Sequence, residues 1–69
     1  MVLAESCGKI AQLFGFILPL EVLISNAGCY IGTVFHGLPF SRESVEYFTS
    51  NDAAHVALLS GTWTQRQFL

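Results

Sequence analysis

Residues 29–61, CYIGTVFHGLPFSRESVEYFTSNDAAHVALLSG, constrain the fold more than any other part of the chain. Tyr30, Gly32 and Val34 alternate with Ile31, Thr33 and Phe35, the two-residue period of a strand. Both sets are largely apolar, so a strand over 30–35 belongs inside a sheet rather than at a bare edge. His36-Gly37-Leu38-Pro39 ends it, Gly37 being able to take positive φ. A returning strand is predicted over 43–48, with Val45 and Tyr47 facing one way and Ser44, Glu46 and Phe48 the other. The alternative for this segment is a short helix starting after Ser41. Thr49 or Ser50 then caps a helix with Asp52 in its first turn. Ala53, Val56, Ala57 and Ser60 form its narrow packing face, and Gly61 is its stop.

Upstream, Leu3, Cys7, Ile10, Phe14 and Ile17 recur at spacings of four and three, which predicts a helix with one buried face ending near Gly15 or Phe16. Pro19 pushes Leu18 out of the α region and suits the first position of a new helix. The spacing predicts that second helix over 19–26, with Glu21 near its positive end and Gly28 just past its close. In the tail, Trp63 and Phe68 form either a short third strand or a flap over the sheet. The expected fold is therefore α+β in a single domain over 1–69. A helical hairpin (1–28) precedes a ββα module (29–69): a small antiparallel sheet and one C-terminal helix.

A chain of 69 residues buries only about 60% of its unfolded surface. With 52% hydrophobic and 12% charged residues, it carries more apolar surface than so small a body can hide, so part should be covered by another chain. The net charge is −2. Lys9, Arg42 and Arg66 are scattered and no Lys or Arg lies between Ile10 and Ser41, which disfavours a nucleic-acid footprint. Cys7 and Cys29, without a CxxC pair, read as two reduced thiols in a cytoplasmic protein. The apolar run 10–20 before Ser25-Asn26-Ala27 is similar to an export leader. Glu5, Glu21 and Asn26 count against one, and no uncharged run is long enough to span a membrane.

His36, His55, Ser41, Ser44, Glu43 and Glu46 contain the parts of a base and a nucleophile. Strand alternation would send Glu43 and Ser44 to opposite faces, and both histidines should sit in exposed places, so no enzyme is expected. Cys7, Cys29, His36 and His55 lack the paired spacing of a structural zinc site. No metal or other cofactor is expected. The candidate interaction surface is Phe35, Leu38, Phe40 and Phe48 with Arg42 and Trp63, aromatic anchors beside an arginine.

Ile10-Ala11, Phe14-Gly15-Phe16, Ile24 and Gly28 resemble the helix-turn-helix skeleton of small regulators and excisionases over residues 9–28. That resemblance implies a winged helix whose wing follows Cys29. The positions that would enter the major groove are Ile17, Leu18, Pro19, Val22 and Leu23, which cannot make bidentate contacts to base edges. Residues 30–66 resemble small ββα accessory proteins of bacterial phages and plasmids. This likeness is carried by Tyr30-Ile31-Gly32-Thr33, Ser41-Arg42-Glu43-Ser44, Glu46-Tyr47-Phe48, Ala53-Ala54, Ala57-Leu58, Gly61 and Trp63-Thr64-Gln65-Arg66. The expected function is a non-enzymatic protein-binding module that modulates or inhibits a host or defence complex and self-associates through its first helix. The alternative is a winged-helix DNA-binding regulator.

Overall fold

The computed structural model describes residues 7–67. A short helix α1 (Lys9–Leu13) is followed by three strands, β1 (Glu21–Ser25), β2 (Gly28–Phe35) and β3 (Leu38–Arg42), and by helix α2 (Asn51–Ser60). The strands form one antiparallel sheet in the order β1-β2-β3. The α+β class is as expected from the sequence, but the arrangement of its first half is not.

The second helix expected over 19–26 is a strand. Val22, Leu23 and Ile24 pair with Ile31, Tyr30 and Cys29, and Ser25 opposes Gly28 across the two-residue turn Asn26-Ala27. Ser25 holds this turn by donating its hydroxyl to the Gly28 carbonyl and accepting the Ala27 amide. Three consecutive apolar residues satisfy either period over so short a run. The decision came from β2, whose second edge is paired by this segment. With no second helix, residues 9–28 do not form a helix-turn-helix, and the described part of the helical hairpin expected over 1–28, residues 7–28, holds one helix and a strand instead.

The first helix is also shorter than expected. Gly15, at φ +89°, turns the chain after Leu13, and Ile10 and Ala11 are its buried residues. Phe14 and Ile17, predicted on the same buried stripe, are exposed, and Cys7 instead bridges Pro19. Leu3 lies outside the described residues.

The returning strand is β3 rather than 43–48. His36 (φ +54°) and Gly37 (φ +77°) both take positive φ, the conformation of a tight two-residue hairpin turn, so pairing resumes at Phe35 and Leu38. An irregularity between Thr33 and Val34 lets Pro39 sit on this edge strand. Residues 43–48 are neither strand nor helix. They cross the sheet as an irregular segment, with Ser44 bridging Gln65 and Phe48 bridging Cys29.

Helix α2 follows its local signals. Ser50 accepts the Ala53 amide as N-cap, Asp52 lies in the first turn, and Gly61 closes the helix at φ +71°. Its buried residues are Ala54 and Ala57; of the expected face Ala53, Val56, Ala57 and Ser60, Ala57 is buried, Ala53 is half-buried, and Val56 and Ser60 are exposed. The third strand of the sheet is β1. The tail contributes the Ser44–Gln65 bridge, and Phe68 lies outside the described residues.

Candidate functional site

At the centre of the molecule is a buried carboxylate. Glu43 leaves β3 with its side chain fully buried. Its Oε1 accepts the Ile10 amide at 2.9 Å and the Gln65 side-chain amide at 2.8 Å. Its Oε2 accepts the Ala11 amide at 3.1 Å and the Ser41 hydroxyl at 2.6 Å. Each carboxylate oxygen thus has both acceptor positions filled. Because Ser41 gives its only proton to Glu43, the 2.6 Å contact between Thr33 and Ser41 has Thr33 as donor. Burial pushes the Glu43 carboxyl up, but the bonds from Ile10, Ser41, Gln65 and Ala11 outweigh it, and its pKa lies below the usual value.

This hub pins α1 to the sheet. Gly8 comes so close that a Cβ there would lie 2.5 Å from Thr33 Cγ2 and 2.6 Å from Glu43 Oε2. Ser44 acts likewise one residue on: its hydroxyl accepts the Ile31 amide and donates to the Glu46 carbonyl. Glu43 and Ser44 are both fully buried, and because 43–48 is not a strand the alternation expected there does not apply. The Thr33–Ser41–Glu43 chain has a nucleophile's parts, yet Glu43 is saturated and neither histidine adjoins it. His36 meets the Phe35 ring edge-on, and His55 lies on α2 with Nδ1 3.2 Å from the Asn51 carbonyl. Among the described residues, no three His, Cys, Asp or Glu side chains are grouped to hold a metal, and Cys7 and Cys29 form no disulfide.

Past α1 the chain enters an aromatic cluster. Phe16 packs against Phe35 and Phe40 with ring centroids 4.8 and 5.1 Å apart. Phe35 meets Phe40 at 5.8 Å, and Phe14 sits edge-on to Phe40 at 6.2 Å. Such tilted and T-shaped contacts favour a fixed ring arrangement. The cluster reaches the surface: Phe14 is 54% exposed and Leu38, paired with Phe35, 69%; Ile17, which follows Phe16 in the chain, is 78% exposed. Phe35, Leu38 and Phe40 were legible as surface candidates; Phe14 and Ile17 were not, being expected on the buried stripe of the first helix, nor was Phe16, expected at its end. The signal that could have found them is Phe14-Gly15-Phe16, an aromatic pair around a glycine just before Pro19.

The other surface candidates lie elsewhere. Arg42 pairs with Gly32 and so shares the sheet face of Tyr30, opposite Ile31 and Thr33. There its guanidinium lies 4.7 Å from the Tyr47 ring centroid and donates to the Tyr47 hydroxyl, while Tyr30 meets Tyr47 edge-on at 5.9 Å. Burial and the neighbouring Tyr47 raise the Tyr30 pKa against the opposing pull of Arg42. Phe48 is half-buried against Cys29, and Trp63 is half-buried after α2.

No protein-family model, curated protein or solved structure matches the chain. No described helix is long and apolar enough to cross a membrane.

Proposed function

We propose that the protein is a non-enzymatic interaction module that docks another protein on the face formed by Phe14, Phe16, Ile17, Phe35, Leu38 and Phe40. The observation that carries this reading is that an ordered aromatic cluster continues into large exposed apolar side chains. Clustered aromatics of this kind supply the anchors that dominate binding energies. The face carries no Lys or Arg, which favours a protein partner over a phosphate backbone. The sequence resemblance to mobile-element accessory proteins suggests the role of modulating a host complex. Self-association would use the same face, since the buried side of α1 is already spent on the sheet.

The test is affinity capture from a lysate of the source cells, with and without nuclease, using the natural chain and an Ile17→Asp/Leu38→Asp variant. A protein retained through nuclease treatment by the natural chain and lost by the variant supports the reading. Equal capture by both, or recovery that disappears with nuclease, contradicts it.

A further inference from the structure

Ala11 stands between the buried acid and the aromatic face. Its amide donates to Glu43 Oε2 at 3.1 Å, and its carbonyl accepts the amides of both Phe14 and Phe16, each at 3.1 Å. The rings of those two residues pack on Phe40, and that of Phe16 also on Phe35. One residue thus ties the face to Glu43.

The two carboxylate oxygens differ in what a proton would meet there. A protonated oxygen must donate, yet Ile10, Ala11 and Gln65 all approach as N–H donors. Gln65 turned over to offer its carbonyl would give up its bonds to the Glu43 and Arg66 carbonyls. The Ser41 hydroxyl can turn round, accepting from Glu43 and donating to Thr33 2.6 Å away. The proton therefore belongs on Oε2, the oxygen that holds Ala11. Oε1, then a carbonyl, keeps Ile10 and Gln65, whereas the Ala11 amide loses a charged acceptor, the stronger kind. The groups facing the carboxylate from α1, β3 and the tail are neutral. Of the flanking charges, Lys9 is exposed on α1 and Arg42 donates to Tyr47 on the opposite sheet face. Arg66 Nη1 donates to the Arg42 carbonyl, and Glu46 accepts the Thr64 amide.

We propose that Glu43 is an acid-operated clasp on the aromatic face: its protonation reverses the Thr33–Ser41–Glu43 hydroxyl chain, frees the Ala11 amide and loosens Phe14 and Phe16 from Phe35 and Phe40. Burial raises the Glu43 pKa and the bonds to the carboxylate more than offset it, so the clasp is closed at neutral pH and opens below about pH 4.3. As regulation of that face the clasp rests on the docking reading, but its opening is a property of the chain alone and is measured without a partner.

The experiment follows the amide spectrum of ¹⁵N,¹³C-labelled protein, with the Glu43 carboxyl carbon, from neutral pH to about pH 3. The amides of Ala11, Phe14 and Phe16 should move with the midpoint of the Glu43 carboxyl, Ala11 upfield and further than Ile10. Leu23 and Tyr30, paired between β1 and β2, should keep their folded positions. Glu43→Gln imitates the acid form, its carbonyl serving Ile10 and Gln65 and its NH₂ donating to Ser41. In that variant the Ala11 amide should already lie at its acid position at neutral pH and stay there on acidification. Should the variant not fold, the titration of the natural chain decides by itself. Equal movement of Ile10 and Ala11 would overturn the proposal, as would Phe14 and Phe16 standing still while Glu43 titrates, or collapse of the whole folded spectrum before Glu43 titrates. Such a failure leaves the docking reading standing, and a failure to capture a partner leaves these spectra unaffected.

Discussion

The Glu43 carboxylate receives the backbone amide of Ile10 across 33 positions of sequence, and with Ala11 beside it this closes the start of α1. A helix of five residues is far too short to stand by itself in water. It exists because its free amides are taken up by a charge delivered from the sheet. Glu43 thereby places Phe14 and Phe16 over Phe35 and Phe40, so the aromatic face depends on a buried acid.

Replacing Glu43 with alanine strands the Ile10 and Ala11 amides, the Ser41 hydroxyl and the Gln65 amide. Each unmet bond to a charged acceptor costs about 1.5–3 kcal/mol, and a chain this small has roughly 3–10 kcal/mol in all. Glu43→Ala should be largely unfolded by circular dichroism at 25 °C. Glu43→Gln keeps one acceptor oxygen but faces donors with an NH₂ group, and its urea midpoint should still fall well below that of the natural chain. A natural midpoint for either variant would contradict the capping role.

Acid should reverse the same interaction. The folded pKa of Glu43 lies below its unfolded value, so the unfolded chain takes up the proton first. The contribution is complete above the unfolded pKa of about 4.3 and is lost as pH falls through the folded pKa. Glu46, also lowered, adds in the same direction: burial raises it, and the hydrogen bonds from Thr64 more than offset that. Urea denaturation at neutral pH and at successively lower pH should show stability falling on acidification, with a shallower fall in Glu43→Gln. Equal slopes would show that Glu43 is not perturbed.

Gly32 should tolerate no side chain. A Cβ there would lie 2.2 Å from the Ser41 carbonyl oxygen, a backbone atom of the neighbouring strand. Gly32→Ala should cost about 3 kcal/mol through displaced strand pairing, read as a lowered melting temperature. Ser44→Ala should cost about 1–3 kcal/mol by leaving the buried Ile31 amide unpaired. Gly37→Ala, at a turn with open space around it, tests backbone strain alone.

What could be read from the sequence was what short range decides. Ser50, Asp52 and Gly61 mark α2 within its own residues, and the alternation of 30–35 marks β2. Segment 19–26 could not be settled locally, because Pro19 suits the first turn of a helix as well as the entry to a strand. Val22-Leu23-Ile24 is too short to distinguish the two periods. The role of Glu43 was hidden for the same reason: three of the four donors to its carboxylate, Ile10, Ala11 and Gln65, are far from it in sequence, and only Ser41 is near. Of the surface candidates, Phe35, Leu38 and Phe40 adjoin one turn and come together, whereas Arg42 was carried to the opposite sheet face by its pairing with Gly32.

The most direct test of the docking face is site-specific photo-crosslinking in source-cell lysate, with a photoreactive residue placed in turn at position 17, 38 or 59. Leu59 is 86% exposed on α2 and is assigned no role in docking, so it serves as the control. Positions 17 and 38 should label the same protein in defined stoichiometry while position 59 does not. Labelling of a single protein from position 59 alone would move the docking surface to α2 and contradict the assignment made from the aromatic cluster.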